Sequence, residues 1–307
     1  MRFVTSEEVH RLCVWTKLCD ALHEAHKGPE PKVDRSQLYA ERGAFRETYF
    51  NLPAWQPGVA MGTKVVTVFP GNRDLPAIQA LYPLFDGKTG EPLAVLDGTA
   101  LTYRKTAADS ALGARLLASP EPRILVMVGA GGLSPYLIDA HRAIHPSIEK
   151  VFIWNRDRGK AVKLAEAVGA EMTDDLETVV RQADIVSCAT AATTPLVKGE
   201  WLKPGSHLDL VGSFTPEMRE CDDAAVSRAR LFVDSRWFAI DQPGDLADPL
   251  RRGVIRRQDI EADLFELCRD GYAVNRRPGD ITLFKNGGGA HLDLFTALFI
   301  WRNLGTT

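Results

Sequence analysis

Gly129, Gly131 and Ser134 follow the apolar run 124–128 at a spacing that can hold a pyrophosphate. An apolar run of this length reads as a buried parallel strand. Gly129 permits the tight turn, Gly131 lets backbone approach a phosphate, and the next helix offers free N–H groups, here those of Gly132 and Leu133. Ser134 stands at the third position of the fingerprint, where glycine is usual, and is small enough for close helix–strand packing. A glycine-rich structural turn is the alternative. A second apolar run, residues 151–155, places Asn155 24 residues after Gly131, where the ribose-reading side chain is expected. An acid there would repel a 2′-phosphate, whereas Asn155 and Arg156 supply an amide and a fixed cation. These residues therefore point to NADP(H) as the preferred cofactor, with NAD(H) possible; a surface arginine in a charged turn is the other reading of Arg156.

Other polar clusters do not assemble chemistry. Ser206, His207 and Asp209 lie within one strand, so their side chains alternate faces and do not converge as a nucleophilic triad. His207 and Asp209 read as packed strand residues. His23 and His26 are three apart on a helix but lack the acidic or thiol partners that complete a metal set, so no metal is expected. The five cysteines are an odd number with no Cys-x-x-Cys pair, which predicts buried thiols in a reducing compartment.

The elements around these residues alternate strand and helix through the middle of the chain, as a doubly wound α/β sheet requires. After the second strand come a helix at 160–168, a helix at 176–182, and strands at 184–190, 206–212 and 231–234. Loops leaving the carboxyl ends of such strands line the cofactor crevice, which places Thr190 and Gly212 near its nicotinamide half. The first part reads as an α+β domain with antiparallel strands. It has one helix over 7–27, a strand at 63–69, and a hairpin around the DGKTG turn at 86–90. A connecting helix at 107–118 leads into the first nucleotide-binding strand, and a very apolar helix at 290–302 must bury itself on the first domain or in an interface.

At 307 residues two domains are expected. With 45% hydrophobic and 25% charged residues the composition is that of a soluble globular protein, and a net charge of −3 without a basic block argues against nucleic acid. No run reaches membrane-spanning length and the first residues lack a signal-peptide core, so a cytoplasmic location is expected.

Four segments, GTKVVTVFPGN (62–72), DGTALTYRKTAA (97–108), the turn at Gly129 and TLFKNGGGAHLD (282–293), together resemble the ornithine cyclodeaminase/μ-crystallin family. The resemblance implies a Rossmann domain, residues 119–284, inserted into a substrate and dimerisation domain formed by 1–118 and 285–307, and a homodimer. It implies that Lys64 and the cation of an Arg-Thr-Ala-Ala motif hold a substrate carboxylate. Here the motif reads Lys105-Thr106-Ala107-Ala108, so Lys105 takes that place, with Arg104 one residue earlier and Arg35 as a further candidate. Thr106 and Asn286 fall to the cofactor by the same resemblance, although Asn286 also suits a cap on the glycine-rich loop. Family cyclodeaminases resemble one another in an aspartate after the fifth Rossmann strand, but VGSFTPE (211–217) puts Phe214 there. Phenylalanine moves no proton and pairs with no ammonium. The resemblance therefore favours the NAD(P)H-dependent ketimine reductase branch, with a cyclic imino acid such as Δ1-pyrroline-2-carboxylate or Δ1-piperideine-2-carboxylate as the small-molecule substrate. An ornithine cyclodeaminase, an alanine dehydrogenase of the same fold and a non-enzymatic NADP-binding protein stand as alternatives.

Overall fold

The computed structural model describes residues 1–43 and 45–305. In chain order its elements begin with β1 (Arg2–Val4), α1 (Ser6–Leu12), α2 (Trp15–His26), β2 (Lys32–Val33), β3 (Ser36–Arg42), β4 (Phe45–Gln56), β5 (Ala60–Val68), β6 (Ile78–Asp86), β7 (Pro92–Asp97) and α3 (Gly98–Leu117). They continue as β8 (Ile124–Val128), α4 (Ser134–Ile144), β9 (Lys150–Trp154), α5 (Arg158–Val168), β10 (Glu171–Met172), α6 (Leu176–Gln182), β11 (Ile185–Cys188) and β12 (His207–Leu210). The last group is α7 (Asp223–Arg228), β13 (Arg230–Val233), α8 (Arg236–Ala239), α9 (Gly244–Arg251), β14 (Ile260–Asp263), α10 (Leu264–Leu267), β15 (Thr282–Lys285) and α11 (Ala290–Asn303). Two compact units result: Met1–Lys105 together with the chain from Ala290 onward, and Thr106–Gly289. The division runs through α3 and again just after β15.

In the first unit seven strands, counted among the described residues, form a sheet in the order β1-β7-β6-β5-β4-β2, with β3 also paired to β4. All its pairs are antiparallel except the edge pair β1–β7, which is parallel. The β6–β7 hairpin forms at the DGKTG turn, where the Asp86 carboxylate accepts from the N–H groups of Lys88 and Thr89 and Gly90 takes a positive φ of 77°. Helix α11 is buried along nearly its whole length and packs on β4, β5 and β6 of this sheet and on α2. Its apolar sequence is thus explained within one unit.

Two helix expectations in this part are corrected. The helix expected over 7–27 is two helices, broken at Cys13 and Val14. Val9, Leu12 and Cys13 are buried, and an unbroken helix would next turn Thr16 and Lys17 inward; the break shifts the phase so that Leu18, Cys19 and Leu22 are buried instead. The connecting helix starts at Gly98, nine residues earlier than expected, because the Asp97 carboxylate accepts from the Ala100 N–H at 2.8 Å and caps it. Lys105 and Thr106 are therefore helical.

The second unit holds an eight-stranded sheet, again among the described residues, in the order β10-β9-β8-β11-β12-β15-β13-β14 with every pair parallel. Its first five strands follow the 3-2-1-4-5 order of a dinucleotide-binding fold. The fold class read from the sequence is thus the one found. Continuous apolar strands such as Leu125–Val128 are buried on both faces, as a sheet covered by helices on each side demands. No helix among the described residues is long and apolar enough to cross a membrane.

Candidate functional site

The glycine turn sits at the carboxyl end of β8. Gly129 has φ +115°, and a Cβ there would lie 2.6 Å from the Ala189 carbonyl oxygen, so only glycine fits. Beside Gly131 there is open space where a Cβ would be. The N–H groups of Gly131, Gly132 and Leu133 donate to nothing among the described residues, and α4 begins at Ser134 with Pro135 in its first turn, where no N–H is needed. Free donors, a helix N-terminus and room for close approach make a cradle that fits a pyrophosphate. Ser134 is fully buried, in keeping with the packing role of the third fingerprint position.

Asn155 does something the sequence did not disclose. Its Oδ1 accepts from the Ala130 N–H at 3.2 Å and its Nδ2 donates to the Asp157 carbonyl at 2.9 Å, so the amide fastens the end of β9 to the glycine turn. Arg156 is exposed and enters no ion pair among the described residues, whereas Arg158 is paired with Asp174. Of the two candidates for reading the ribose, the arginine is the one at liberty.

Thr190 and Gly212 lie in the loops after β11 and β12, and the structure brings them together: a Cβ on Gly212 would stand 2.1 Å from the Thr190 carbonyl oxygen. Asn286 is buried and fully engaged, donating to the Thr106 carbonyl and the Ser110 hydroxyl, both at 3.1 Å, and accepting from the Gly288 N–H at 3.0 Å. It caps the glycine-rich loop, the alternative reading of this residue, and holds Thr106 by its backbone. His207 and Asp209 are structural as expected: His207 Nδ1 lies 2.8 Å from the Thr282 hydroxyl, and Asp209 accepts from Ser110 and Ser187 at 2.8 and 2.6 Å.

Lys64 and Lys105 belong to the first unit and both are buried, at 6% and 1% exposure. On β5 the alternate positions Ala60, Gly62 and Lys64 share the buried face, and α11 packs on this strand. Lys64 Nζ lies 3.0 Å from Asp293 Oδ2 and 3.2 Å from Oδ1, on the first turn of α11. Tyr82 lies over Gly62, where a Cβ would meet its ring at 2.6 Å, and burial together with Asp293 pushes its phenol well above the usual range. Lys105 acts on the same helix turn: burial, then His26 and Lys105, hold His291 well below the usual imidazole range. Arg104 is engaged elsewhere, donating to His10 Nδ1 at 3.0 Å and stacking on Trp15 at 4.3 Å, whereas Lys105 is the one set beside His291. Arg35 is half-buried, stacks on Phe50 and donates to Gln37 at 3.2 Å. The registers of β2 and β3 on β4 place it opposite Leu52, which is itself opposite Lys64.

Phe214 is 54% exposed in the loop after β12. The expected position of a catalytic carboxylate therefore carries an apolar ring open to solvent.

The profile of the ornithine cyclodeaminase/mu-crystallin family matches residues 3–307. The chain belongs to that family. It is 44% identical over 263 residues to the protein SAR DEFICIENT 4 of Arabidopsis thaliana, covering 81% of each chain. It is 41% identical over 295 residues to a Δ1-pyrroline-2-carboxylate reductase of Paracoccus denitrificans, covering 94% of this chain and 92% of that one. The Thermococcus litoralis Δ1-pyrroline-2-carboxylate reductase, solved with NADH and L-proline, superposes with a TM-score of 0.89 at 27% identity, over all of this chain and 98% of that one.

Sequence reasoning missed Glu220. It is fully buried and joins the Thr190 and Gly212 loops, yet in the run Arg219-Glu220-Cys221-Asp222-Asp223 it reads as a solvated turn. Only the burial of its neighbours Cys221 and Val197 hints otherwise.

Proposed function

We propose that this member of the family is an NAD(P)H-dependent reductase of cyclic imino acids, taking Δ1-pyrroline-2-carboxylate to L-proline and the six-membered Δ1-piperideine-2-carboxylate to L-pipecolate. The observation that carries this is Lys64: a strand lysine turned inward and held by the buried Asp293, with Lys105 also buried against the first turn of α11. Cations placed at such desolvation cost suit a substrate that brings a carboxylate. Lys64 and Lys105 fix that carboxylate as point charges, and Arg35, two strands or about 10 Å away across the sheet, adds the planar fork that Lys105 lacks. Held at this site, NAD(P)H would supply the hydride that the imine carbon needs and be oxidised to NAD(P)+, and one proton would end on the nitrogen. Holding a flat, carboxylated ring in one orientation is what the chain contributes to rate.

Phe214 favours reduction over cyclodeamination, because no carboxylate stands there to handle the amine of ornithine. Relatives named Δ1-pyrroline-2-carboxylate reductase support the five-membered ring. Gly129, Gly131, Gly132 and Leu133 hold the pyrophosphate, Thr190 and Gly212 flank the nicotinamide half, and Arg156 meets a 2′-phosphate, which gives a preference for NADP(H) over NAD(H). The five buried thiols suit the reducing cytoplasm.

The working form is a homodimer. Leu38, Tyr49, Trp55, Leu81 and Phe3 are exposed and, by register, share the sheet face opposite Lys64. A second copy of the same face is the partner that matches so apolar a patch.

The test is a panel. Purified protein is given NADPH or NADH with each of the two ketimines and with pyruvate plus ammonia, and NAD+ or NADP+ with ornithine. Ketimine turnover at least tenfold above the rest, with a lower KM for NADPH that Arg156→Ala abolishes, is expected. Faster turnover of pyruvate plus ammonia would reassign the chain to amino-acid dehydrogenation.

A further inference from the structure

One carboxylate ties together the two loops at the carboxyl ends of β11 and β12. Glu220 Oε1 accepts from the Thr190 N–H at 2.7 Å and from the Thr190 hydroxyl at 3.0 Å, and Oε2 accepts from the Gly212 N–H at 2.7 Å. The backbone of Glu220 is held as firmly: its N–H donates to Asp245 Oδ1 at 2.7 Å, and its carbonyl accepts from Leu196 and Val197 at 2.9 and 3.0 Å. Behind it lies Lys285, fully buried, with Nζ 3.6 Å from Asp245 Oδ2 and donating to the Leu210 carbonyl at 3.1 Å. Gly212 completes the arrangement, since any side chain there would drive the two loops apart.

Loops are ordinarily tied by backbone hydrogen bonds or by an amide. Two carboxylates and an ammonium in a fully buried position cost several kcal/mol each to desolvate, by rough estimate, and are weak devices for stability alone. Burial, then Asp245, push Glu220 up to about 8, against the pull of Lys285 and the loop N–H groups. Such clusters concentrate where geometry must be held for function.

We propose that Glu220 is a positioning residue for the nicotinamide end of the cofactor, locking the Thr190 and Gly212 loops at one separation, with Asp245 and Lys285 holding Glu220 in place. The inference rests on the reading that these loops flank the nicotinamide. Glu220 does not touch the reacting atoms; it acts through the two loops.

The test compares Glu220→Gln with wild type for binding of NADH and of ADP-ribose, and of their 2′-phosphorylated counterparts. Glutamine keeps the size but must turn an N–H2 towards one loop, so one backbone donor loses its acceptor. Leaving one buried backbone donor unpaired corresponds to roughly tenfold in an equilibrium. The expected result is a rise of about tenfold in the Kd and KM for the reduced cofactor, with ADP-ribose bound as in wild type and the imine KM at saturating cofactor within about twofold. A purely structural role would move ADP-ribose and the reduced cofactor together. Unchanged affinity for the reduced cofactor in Glu220→Gln overturns the inference while leaving the dinucleotide site intact. Failure of wild type to bind ADP-ribose at all would instead overturn the dinucleotide reading beneath it. Should Glu220→Gln lose its thermal transition, Thr190→Val decides: it removes the hydroxyl that donates to Glu220 at 3.0 Å and accepts from the Ala192 N–H at 3.3 Å, and should weaken the reduced cofactor about threefold with ADP-ribose unchanged, while wild-type affinity for both contradicts the clamp.

Discussion

Lys64 and Asp293 form a buried ion pair, and the role in the fold and the proposed role in binding separate by mutation. Lys64→Met leaves Asp293 buried without its cation, which costs about 3–5 kcal/mol and should lower the melting temperature as well as remove carboxylate binding. The double variant Lys64→Met/Asp293→Leu removes both charges. It is expected to recover most of the lost stability in urea unfolding yet to keep less than about 1% of the wild-type kcat/KM, a loss of roughly 3 kcal/mol in transition-state binding. Activity that returned with stability would show that Lys64 is only a structural cation. Lys64 was legible only through the resemblance of its motif, since a lysine in a strand pattern reads equally as facing solvent. Lys105 was legible only through the resemblance of its motif, and the choice between it and Arg104 required the structure, where adjacent helical residues point about 100° apart. Glu220 was not legible: charge in a polar run carries no sign of burial.

Among the elements, those with strong periodicity were read correctly and those with phase breaks were not. The strands Ile124–Val128 and Lys150–Trp154 and the helix α5, with Asp157 capping it and Gly169 ending it in a left-handed conformation, carry their signals locally. The break at Cys13 has no glycine or proline to announce it, and β3 and β4 show no strict alternation of buried and exposed positions, although they pair with each other and β4 pairs with β5. The early start of α3 did leave a mark, the capping Asp97. Within the second unit α3 is fitted tightly onto β15: a Cβ at Gly113 would lie 2.7–2.9 Å from atoms of the Phe284 ring. Gly113→Ala gains roughly 1 kcal/mol of helix propensity, but overpacking costs about 1–3 kcal/mol, so a net loss in urea unfolding is expected. A net gain would mean that Phe284 moves aside freely.

At the scale of the whole molecule, four buried histidines set the acid limit. Burial holds His26 and His145 down to about 4, His207 to about 3 and His291 well below the usual range, against 6.5 for a free imidazole. The folded values lie below the unfolded ones, so this stability is complete above pH 6.5 and is lost as pH falls towards 4, at about 1.4 kcal/mol per pH unit for each group. Glu220, raised instead, works in the opposite direction between 4.5 and about 8 and offsets one of the four. Urea midpoints should therefore drop between pH 6.5 and pH 4.5; a flat profile would place charged histidines in the interior. Assembly has its own test. Trp55 is 44% exposed on the apolar face of the first sheet, and Trp55→Glu should convert a dimer to monomer in light scattering. A variant that stayed dimeric would move the interface elsewhere.

The proposed activity is reduction of a carboxylated cyclic imine at a site whose cation is Lys64. Its most direct test is to follow NAD(P)H oxidation and proline formation together on adding Δ1-pyrroline-2-carboxylate to wild type and to the folded Lys64→Met/Asp293→Leu variant. One L-proline per reduced cofactor consumed in wild type, with turnover in the variant at the background level, is the expected result. Full turnover by the variant, or no proline from wild type while oxidised cofactor and ornithine react, would contradict it.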